Sequence, residues 1–584
     1  MKRVFILCIA LYTIVFSCIS LWKYNGLRYN ARDLAIYNQI LWQLQDTRNE
    51  KQDTNIVDNF YSSIQGHNYL GDHVEPILLL IAPLYALFPD PRTVLIIQTL
   101  ALALAAIPLF LITKIVLAAS VSRQEHGSMA PWLHAWLPPC VGVLWLLHPA
   151  VQNANLFEFH SLAFAPLVLF FLFWAHLKVQ ANALHPSLFI LFLLLSLSVR
   201  EDVALITFPL GFIWMVEIWY RRGDGTISAR GLSEQLPTSH DRDEGACRDG
   251  AEGMRVPQKE IEPRRAAVVG WILSLLTIAI SSTWFLLAQH LIARFSPSGG
   301  YQFRGYYEWI LQLGSWGATF KGVMAHLFTL PNLEMLIGLL LPLLFLPLLK
   351  PTWLLLSLPP LAAIVFSQSG GGALIWQTHY GLLLLPGIFL ACIDSLKKKS
   401  ILFVALITAS LSAALAFGPL TPALRAVTSR DRKLAPRNLI SAVPPSASIA
   451  ATDRFLAPLS SRRGLTLLPL LLLGVQQYAA APYASVLPNY ILLDQEEVWA
   501  DLIQAQTLAW TSPYASHMAP QFRHILSEGK YGIVKRQDGA LLMIRGEGSL
   551  KIPPFTFEER DFKGVQGGLE LDRLGSVRFI IDDH

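Results

Sequence analysis

Carboxylates, histidines and arginines stand at the ends of apolar segments, where a chain has little structural reason to place them. The set comprises Arg32, Asp33, Asp72, His73, Glu75, Glu158, His160, Arg200, Glu201, Asp202 and His379. A carboxylate held near an apolar surface can be tuned to remove a proton from a hydroxyl. Arginine offers paired donors to a phosphate. The set could therefore support general-base chemistry on an anionic substrate.

Asp33 opens the segment Arg32-Asp33-Leu-Ala-Ile-Tyr-Asn-Gln and admits two interpretations. As an acid in the first turn of a helix, it would be stabilised by the helix dipole. As a general base, it would take a proton from an attacking hydroxyl. The spacing alone leaves both interpretations open.

The other polar motifs are equally open. Asp72, His73 and Glu75 could form half of a divalent-metal site, contact a phosphate, or make a polar lip before Pro76. Arg200-Glu201-Asp202 is either a loop with an internal ion pair or an anion site. His160 and His379 are either core histidines or ligand-binding residues.

The composition indicates the class of protein that must position these residues. The chain has 584 residues, of which 53% are hydrophobic and 15% charged, whereas soluble chains carry about 25% charge. This excludes an ordinary soluble enzyme. The net charge of +5 comes from basic residues at the ends of apolar runs, so nucleic acid is not needed to explain it. The five cysteines form no disulfide or zinc pattern.

We predict an α-helical polytopic membrane protein with about eleven transmembrane helices, because each run approaches the roughly 20 residues that a span needs. The predicted spans are Val4–Trp22, Thr93–Ala118, Ala135–Ala150, Ser161–Leu177, Leu184–Val199, Val203–Tyr220, Ala266–Ala293, Asn332–Leu349, Thr352–Ser367, Tyr380–Leu396 and Ile401–Pro419. With the N-terminus in the cytoplasm, the lysine and arginine residues at the ends of successive spans all fall on the cytoplasmic side, where basic residues are favoured. All the motifs above then face outward, where they could share a polar cavity.

The predicted domains are a membrane domain, residues 1–419, and an extracytoplasmic soluble α/β domain, residues 420–584. The membrane domain contains a long outward loop, residues 23–92, and a disordered cytoplasmic insertion, residues 221–265. Within the loop, Arg32–Asp46 predicts an amphipathic helix on the outer surface, and Pro76–Pro89 is too short to cross. Strands are expected at Ser448–Ala451, Tyr490–Leu493, Tyr531–Lys535, Ala540–Ile544 and Val577–Ile581.

Several motifs together resemble a family of bacterial membrane proteins known as domain of unknown function 2079. They are Arg32 to Gln39, His73-x-Glu-Pro-Ile-Leu, Ala82 to Pro89, Glu158-Phe159-His160, Arg200-Glu201-Asp202, His379-Tyr380, Ile449 to Asp453 and Tyr490 to Asp494. The resemblance excludes the insertion and the last thirty or so residues. That family in turn resembles the GT-C membrane glycosyltransferases, which share a catalytic Asp in the first outward loop.

The resemblance implies an inverting enzyme that transfers a sugar from a polyprenyl-phosphate donor to a hydroxyl in the bacterial inner membrane. Asp33 takes the place of the catalytic base, and Asp72-His73 lies where the loop meets the donor. Many members of the superfamily have a basic residue before the proline of this segment, where this chain has Glu75. Arg32, His73 or Arg200 would therefore have to contact the phosphate instead. A divalent metal and membrane lipids are further possible partners. The alternatives are a transporter or lipid-handling protein, or a non-catalytic membrane anchor.

Overall fold

The computed structural model describes residues 2–29, 31–45, 56–122, 131–181, 183–223, 261–300, 302–311, 316–367, 376–396, 403–428, 436–474, 483, 486–498, 500–501, 518–528, 531–546, 569–571 and 577–579. Most of the predicted insertion, residues 221–265, lies outside these ranges.

The fold is predominantly α-helical. The helices of the first half are α1 (Lys2–Asn25), α2 (Arg32–Gln43), α3 (Ile77–Leu87), α4 (Pro91–Leu104), α5 (Ala106–Ser122), α6 (Pro131–Leu147), α7 (Pro149–Phe157), α8 (Ala165–Gln180), α9 (Pro186–Leu197), α10 (Ala204–Gly223) and α11 (Ile261–Phe295). The later helices are Glu308–Leu311, Trp316–Leu327, Leu330–Leu340, Leu358–Val365, Leu385–Leu396, Phe403–Phe417, Leu420–Thr428, Arg437–Ile440, Asp453–Leu459, Leu468–Leu473 and Met518–Glu528.

Short 3-10 helices join these elements at many bends. They are Ile56–Phe60, Tyr69–Gly71, Ser161–Phe164, Glu201–Val203, Gln302–Tyr307, Leu341–Leu343, Leu346–Leu349, Pro351–Leu356 and His379–Leu383.

Fewer helices meet the length of a span than the sequence predicts. Five helices in the described ranges are long and apolar enough to cross a membrane, and two bent helix pairs would raise the number to seven. The count of eleven is therefore not confirmed. The segment Asn332–Leu349 illustrates the reason, because Pro342 and Pro347 interrupt it and only 3-10 turns follow Leu340.

Helix α2 forms where it is predicted, but more of it is buried than the single apolar face of the predicted amphipathic helix. Nine of its residues are buried, including the polar Asn38 and Gln39. The helix lies between α4 and the helix Asp453–Leu459, so it is covered by the C-terminal region. Helix α3, in contrast, is a short apolar helix of eleven residues with Leu80, Leu84 and Leu87 exposed.

The C-terminal region contains a five-stranded sheet with the order β4-β3-β5-β7-β6. Its strands are β3 (Ile449–Ala451), β4 (Leu465–Leu467), β5 (Tyr490–Asp494), β6 (Tyr531–Gln537) and β7 (Ala540–Arg545). Strands β3, β4 and β5 are parallel, and β7 pairs antiparallel with both β5 and β6. Short hairpins are formed by β1 (Tyr61–Ser62) with β2 (His67–Asn68) and by β8 (Leu569–Leu571) with β9 (Val577–Phe579). Strand β4 is absent from the sequence prediction.

The first loop and the C-terminal sheet share one hydrophobic core. A single buried cluster contains Leu34 and Ile40 of α2 together with Phe455, Leu465 and other residues around the sheet. The helix bundle forms a separate cluster. Burial of apolar surface is the main favourable contribution to docking, so α2 is anchored to the C-terminal region as well as to the neighbouring helices.

Candidate active site around Asp33

Asp33 lies in the first turn of α2, and this turn is capped by a residue from another element. Ala31 stands at the N-cap position and has no side-chain oxygen to offer. The Glu158 carboxylate, which follows α7, instead accepts a hydrogen bond from the Leu34 backbone N–H at 3.0 Å. This supplies the acceptor that the free N–H groups of a helix start require. The Asp33 side chain keeps 45% of its surface exposed.

His160 is the direct partner of Asp33. Its Nε2 lies 3.0 Å from Asp33 Oδ2, and its backbone N–H donates to Gln98 of α4 at 2.8 Å. The Gln98 amide also donates to the Glu158 carbonyl at 2.8 Å. Gln98 therefore fixes the short segment that carries both the capping carboxylate and the histidine.

His379 stacks on His160. The two ring centroids are 3.5 Å apart with an interplanar angle of 17°. Nδ1 of each ring is buried and has no hydrogen-bond partner among the described residues. Burial, with a further contribution from His160, lowers the pKa of His379 well below its usual range. The His379 ring is therefore neutral near pH 7.

One turn after Asp33, Tyr37 connects the site to Glu75. The Tyr37 hydroxyl donates to Glu75 Oε1 at 3.1 Å and accepts a hydrogen bond from the Tyr69 hydroxyl at 2.9 Å. Burial raises the pKa of Glu75 to about 7, despite the opposing charges of His73 and Arg200. Glu75 therefore holds a proton more readily than an exposed glutamate.

The segment before α3 is fixed by the loop that precedes α10. His73 Nδ1 lies 2.8 Å from Glu201 Oε1, and the Val74 N–H donates to Glu201 Oε2 at 3.0 Å. Arg200 pairs with Asp202, with its Nε 3.0 Å from Asp202 Oδ2. The expected internal ion pair of this loop is thus present.

Asp72, His73 and Glu75 do not form the metal half-site that their spacing suggested. Asp72 bonds with His67, at 2.7 Å from its Nε2, and with the Gln65 amide. The three side chains therefore turn to different partners. No group of three or more His, Cys, Asp or Glu in the described ranges is arranged to hold a metal.

Asp33 and Glu158 lie close together, but their environments separate their proton affinities. Burial would raise the pKa of Asp33, yet the hydrogen bond from His160 and the charges of His160, Arg32 and His73 together outweigh it, so this pKa lies below its usual value. Burial and the Asp33 charge raise the pKa of Glu158 well above its usual range. Asp33 is therefore the ionised member of the pair near pH 7, which is the state a base needs.

Residues 23–542 match the family model described as "Predicted membrane protein (DUF2079)". The chain belongs to this family. No curated protein matches the DUF2079 chain significantly. A crystal structure of the Archaeoglobus fulgidus oligosaccharyltransferase in complex with zinc and sulfate is similar at 10% identity and a TM-score of 0.38, covering 89% of this chain and 71% of that one.

The DUF2079 chain also uses residues that the sequence does not assign to the site. Gln98 and Tyr37 hold the site through hydrogen bonds, and Asp453 pairs with Arg32. Gln98 could have been found as a polar residue inside a predicted span. Tyr37 lies four residues after Asp33 and so on the same helix face. The Asp453 contact depends on docking between distant segments and has no local signal.

Proposed function

We propose that this chain is a membrane glycosyltransferase in which Asp33 is the general base. The observation that supports this proposal is the state of the Asp33 carboxylate. It is partly exposed, hydrogen-bonded to His160 and held in its ionised form beside Glu158, which caps the helix. The substrate class follows from the GT-C resemblance and comprises a polyprenyl-phosphate sugar and a hydroxyl acceptor. The lipid tail of such a donor suits a protein built from membrane-spanning helices.

The proposed reaction is a direct displacement. Asp33 accepts the proton of the acceptor hydroxyl as its oxygen attacks the anomeric carbon. The bond from this carbon to the phosphate oxygen breaks, and polyprenyl phosphate leaves with the electron pair. The configuration at the anomeric carbon is inverted. His160 orients the carboxylate through its hydrogen bond to Asp33.

The arrangement of helix ends supports an extracytoplasmic site. Lys23, near the end of α1, donates to the Leu156 carbonyl at 2.8 Å, so this end of α1 adjoins the segment that carries Glu158. The opposite end of α1 begins with Lys2 and Arg3, and Lys178 lies at the far end of α8. Basic residues favour the cytoplasmic side, so the site faces outward in this proposal.

The test is sugar transfer by Asp33→Asn in right-side-out membrane vesicles that supply their native acceptors, with polyprenyl-phosphate hexoses as donors. Asparagine is nearly isosteric, so we expect normal folding and a turnover reduced by roughly 10²–10⁴, the range for general-base catalysis. Asp58→Asn, an exposed aspartate of the same loop, is the matched control. Full activity of Asp33→Asn would overturn the proposal. Solute uptake without transfer would favour a transporter.

A further inference from the structure

Arg32, the neighbour of Asp33, makes a two-point ion pair with the C-terminal region. Its Nε lies 3.1 Å from Asp453 Oδ1 and its Nη2 lies 3.1 Å from Asp453 Oδ2. The side chains of Arg32 and Asp453 are 32% and 12% exposed. Paired contacts of this kind fix the relative orientation of two groups more strictly than a single charge contact.

The ion pair continues into a row of hydrogen bonds along α2. The Asn38 amide donates to Ser460 Oγ at 2.8 Å, and the Gln39 amide donates to the Arg462 carbonyl at 2.8 Å. Ser460 and Arg462 follow the helix that Asp453 begins. One face of α2 is thus bonded along its length to a single segment of the C-terminal region.

Asp453 is itself held in place. The N–H of the next residue, Arg454, donates to Glu497 Oε1 at 3.2 Å, and the Arg454 guanidinium pairs with Asp494. Asp494 ends strand β5. A continuous series of hydrogen bonds and ion pairs therefore runs from the central sheet through Asp453 and Arg32 to the turn that carries Asp33.

We propose that Asp453 is a positioning residue for the reaction, which places Asp33 by orienting Arg32, so that the C-terminal region is part of the catalytic unit. The proposal rests on the proposed role of Asp33 as the base. It assigns Arg32 to positioning, where the sequence alone suggested a phosphate contact. Asp453 occupies the Nε–Nη2 edge of the guanidinium, so a two-point contact of this edge with a phosphate would require the ion pair to break.

Loss of Asp453 would disturb Asp33 in two ways. The first turn of α2 would lose its outer anchor, while Glu158 would still cap it from the other side. The released Arg32 would also be free to turn to the adjacent Asp33 carboxylate and compete there with His160. A displacement of a reacting group by about 1 Å can lower the reaction rate by about 10²-fold.

The experiment compares Asp453→Asn with the charge-reversed pair Arg32→Asp/Asp453→Arg. We expect Asp453→Asn to lower kcat by about 10- to 100-fold while KM for a polyprenyl-phosphate hexose stays within about twofold. The reversed pair should recover much of the loss seen in Arg32→Asp alone. Asp90→Asn is the matched control, because Asp90 and Arg92 form an exposed ion pair in the same loop.

Hydrogen exchange of residues 32–43 gives a readout that is independent of turnover. Asp453→Asn should accelerate exchange in this helix, and the reversed pair should restore protection, whereas Asp90→Asn should match the wild type. Unchanged exchange would overturn the proposal. A raised donor KM in Arg32→Lys without rescue by charge reversal would also overturn it, because Arg32 would then bind the donor. Absence of transfer by the wild type would overturn the proposed function, while the exchange data would still test the anchoring of α2.

Discussion

Two aspartates of the first loop, Asp33 and Asp72, each pair with a histidine, and the two pairs differ in what surrounds them. Asp33 and His160 are 3.0 Å apart, and Asp33 is 45% exposed. Asp72 and His67 are 2.7 Å apart, and their side chains are 6% and 5% exposed. The Gln65 amide also bonds to Asp72. We call the first the open pair and the second the closed pair.

The difference shows why residue type alone does not identify a catalytic carboxylate. In the closed pair both carboxylate oxygens accept hydrogen bonds from the protein, which satisfies a buried charge and fixes the loop. In the open pair, Oδ2 of Asp33 faces His160 while much of the side chain stays accessible. Only the open pair can receive a proton from a bound substrate without first breaking its own contacts.

Among the tests of this comparison, the largest expected effect is the loss of turnover when the histidine of the open pair is replaced. The same replacement in the closed pair is the control. His160→Gln should lower turnover by roughly 10- to 100-fold and raise the pKa of Asp33, because His160 now depresses it. The acid limb of the kcat/KM profile should therefore move to higher pH. His67→Gln should leave this limb in place. Identical profiles for the two variants would remove the distinction between the open and closed pairs.

The next prediction concerns stability. Here the closed pair should contribute more than the open pair. Asp72→Ala leaves buried His67 and Gln65 without an important partner, which should cost about 1–3 kcal/mol in the free energy of unfolding. Asp33→Ala should cost about 1 kcal/mol or less, because Glu158 still caps the helix. Denaturant titration in detergent micelles measures both values. Equal losses would contradict the assignment of a structural role to the closed pair alone.

The sequence predicts the parts of this comparison better than their assembly. The sequence predicts Asp33, His160 and His379 as site residues, and the structure brings them together although more than a hundred residues separate successive members. The partner of Asp72 was missed, because His67 occupies a two-residue strand that carries no periodic pattern.

The burial of α2 shows a second reason for the mismatch. Its apolar positions predict one buried face, but Asn38 and Gln39 are buried as well, because the C-terminal region offers them hydrogen-bond acceptors. A hydrophobic pattern records apolar contacts and cannot record polar partners that lie four hundred residues away. The strands β5 and β7, in contrast, lie where the sequence predicts them, since their apolar and β-branched residues are a local signal.

The last prediction concerns how stability depends on pH through Glu75, which bonds to Tyr37 next to the open pair and follows the closed pair in sequence. Burial raises its pKa from 4.5 to about 7 in the folded protein. Its contribution to stability is therefore complete below about pH 4.5 and is lost as the pH rises through about 7. Glu75→Gln mimics the protonated form and should remove this dependence. The wild type should lose stability relative to the variant by at most about 1.4 kcal/mol per pH unit in that window.

Asp58→Asn controls for the loss of one charge. A stability difference that stays constant between pH 4 and 8, to be measured in steps of about one unit, would show that Glu75 is ionised in the folded state and that the open pair has a charged carboxylate beside it.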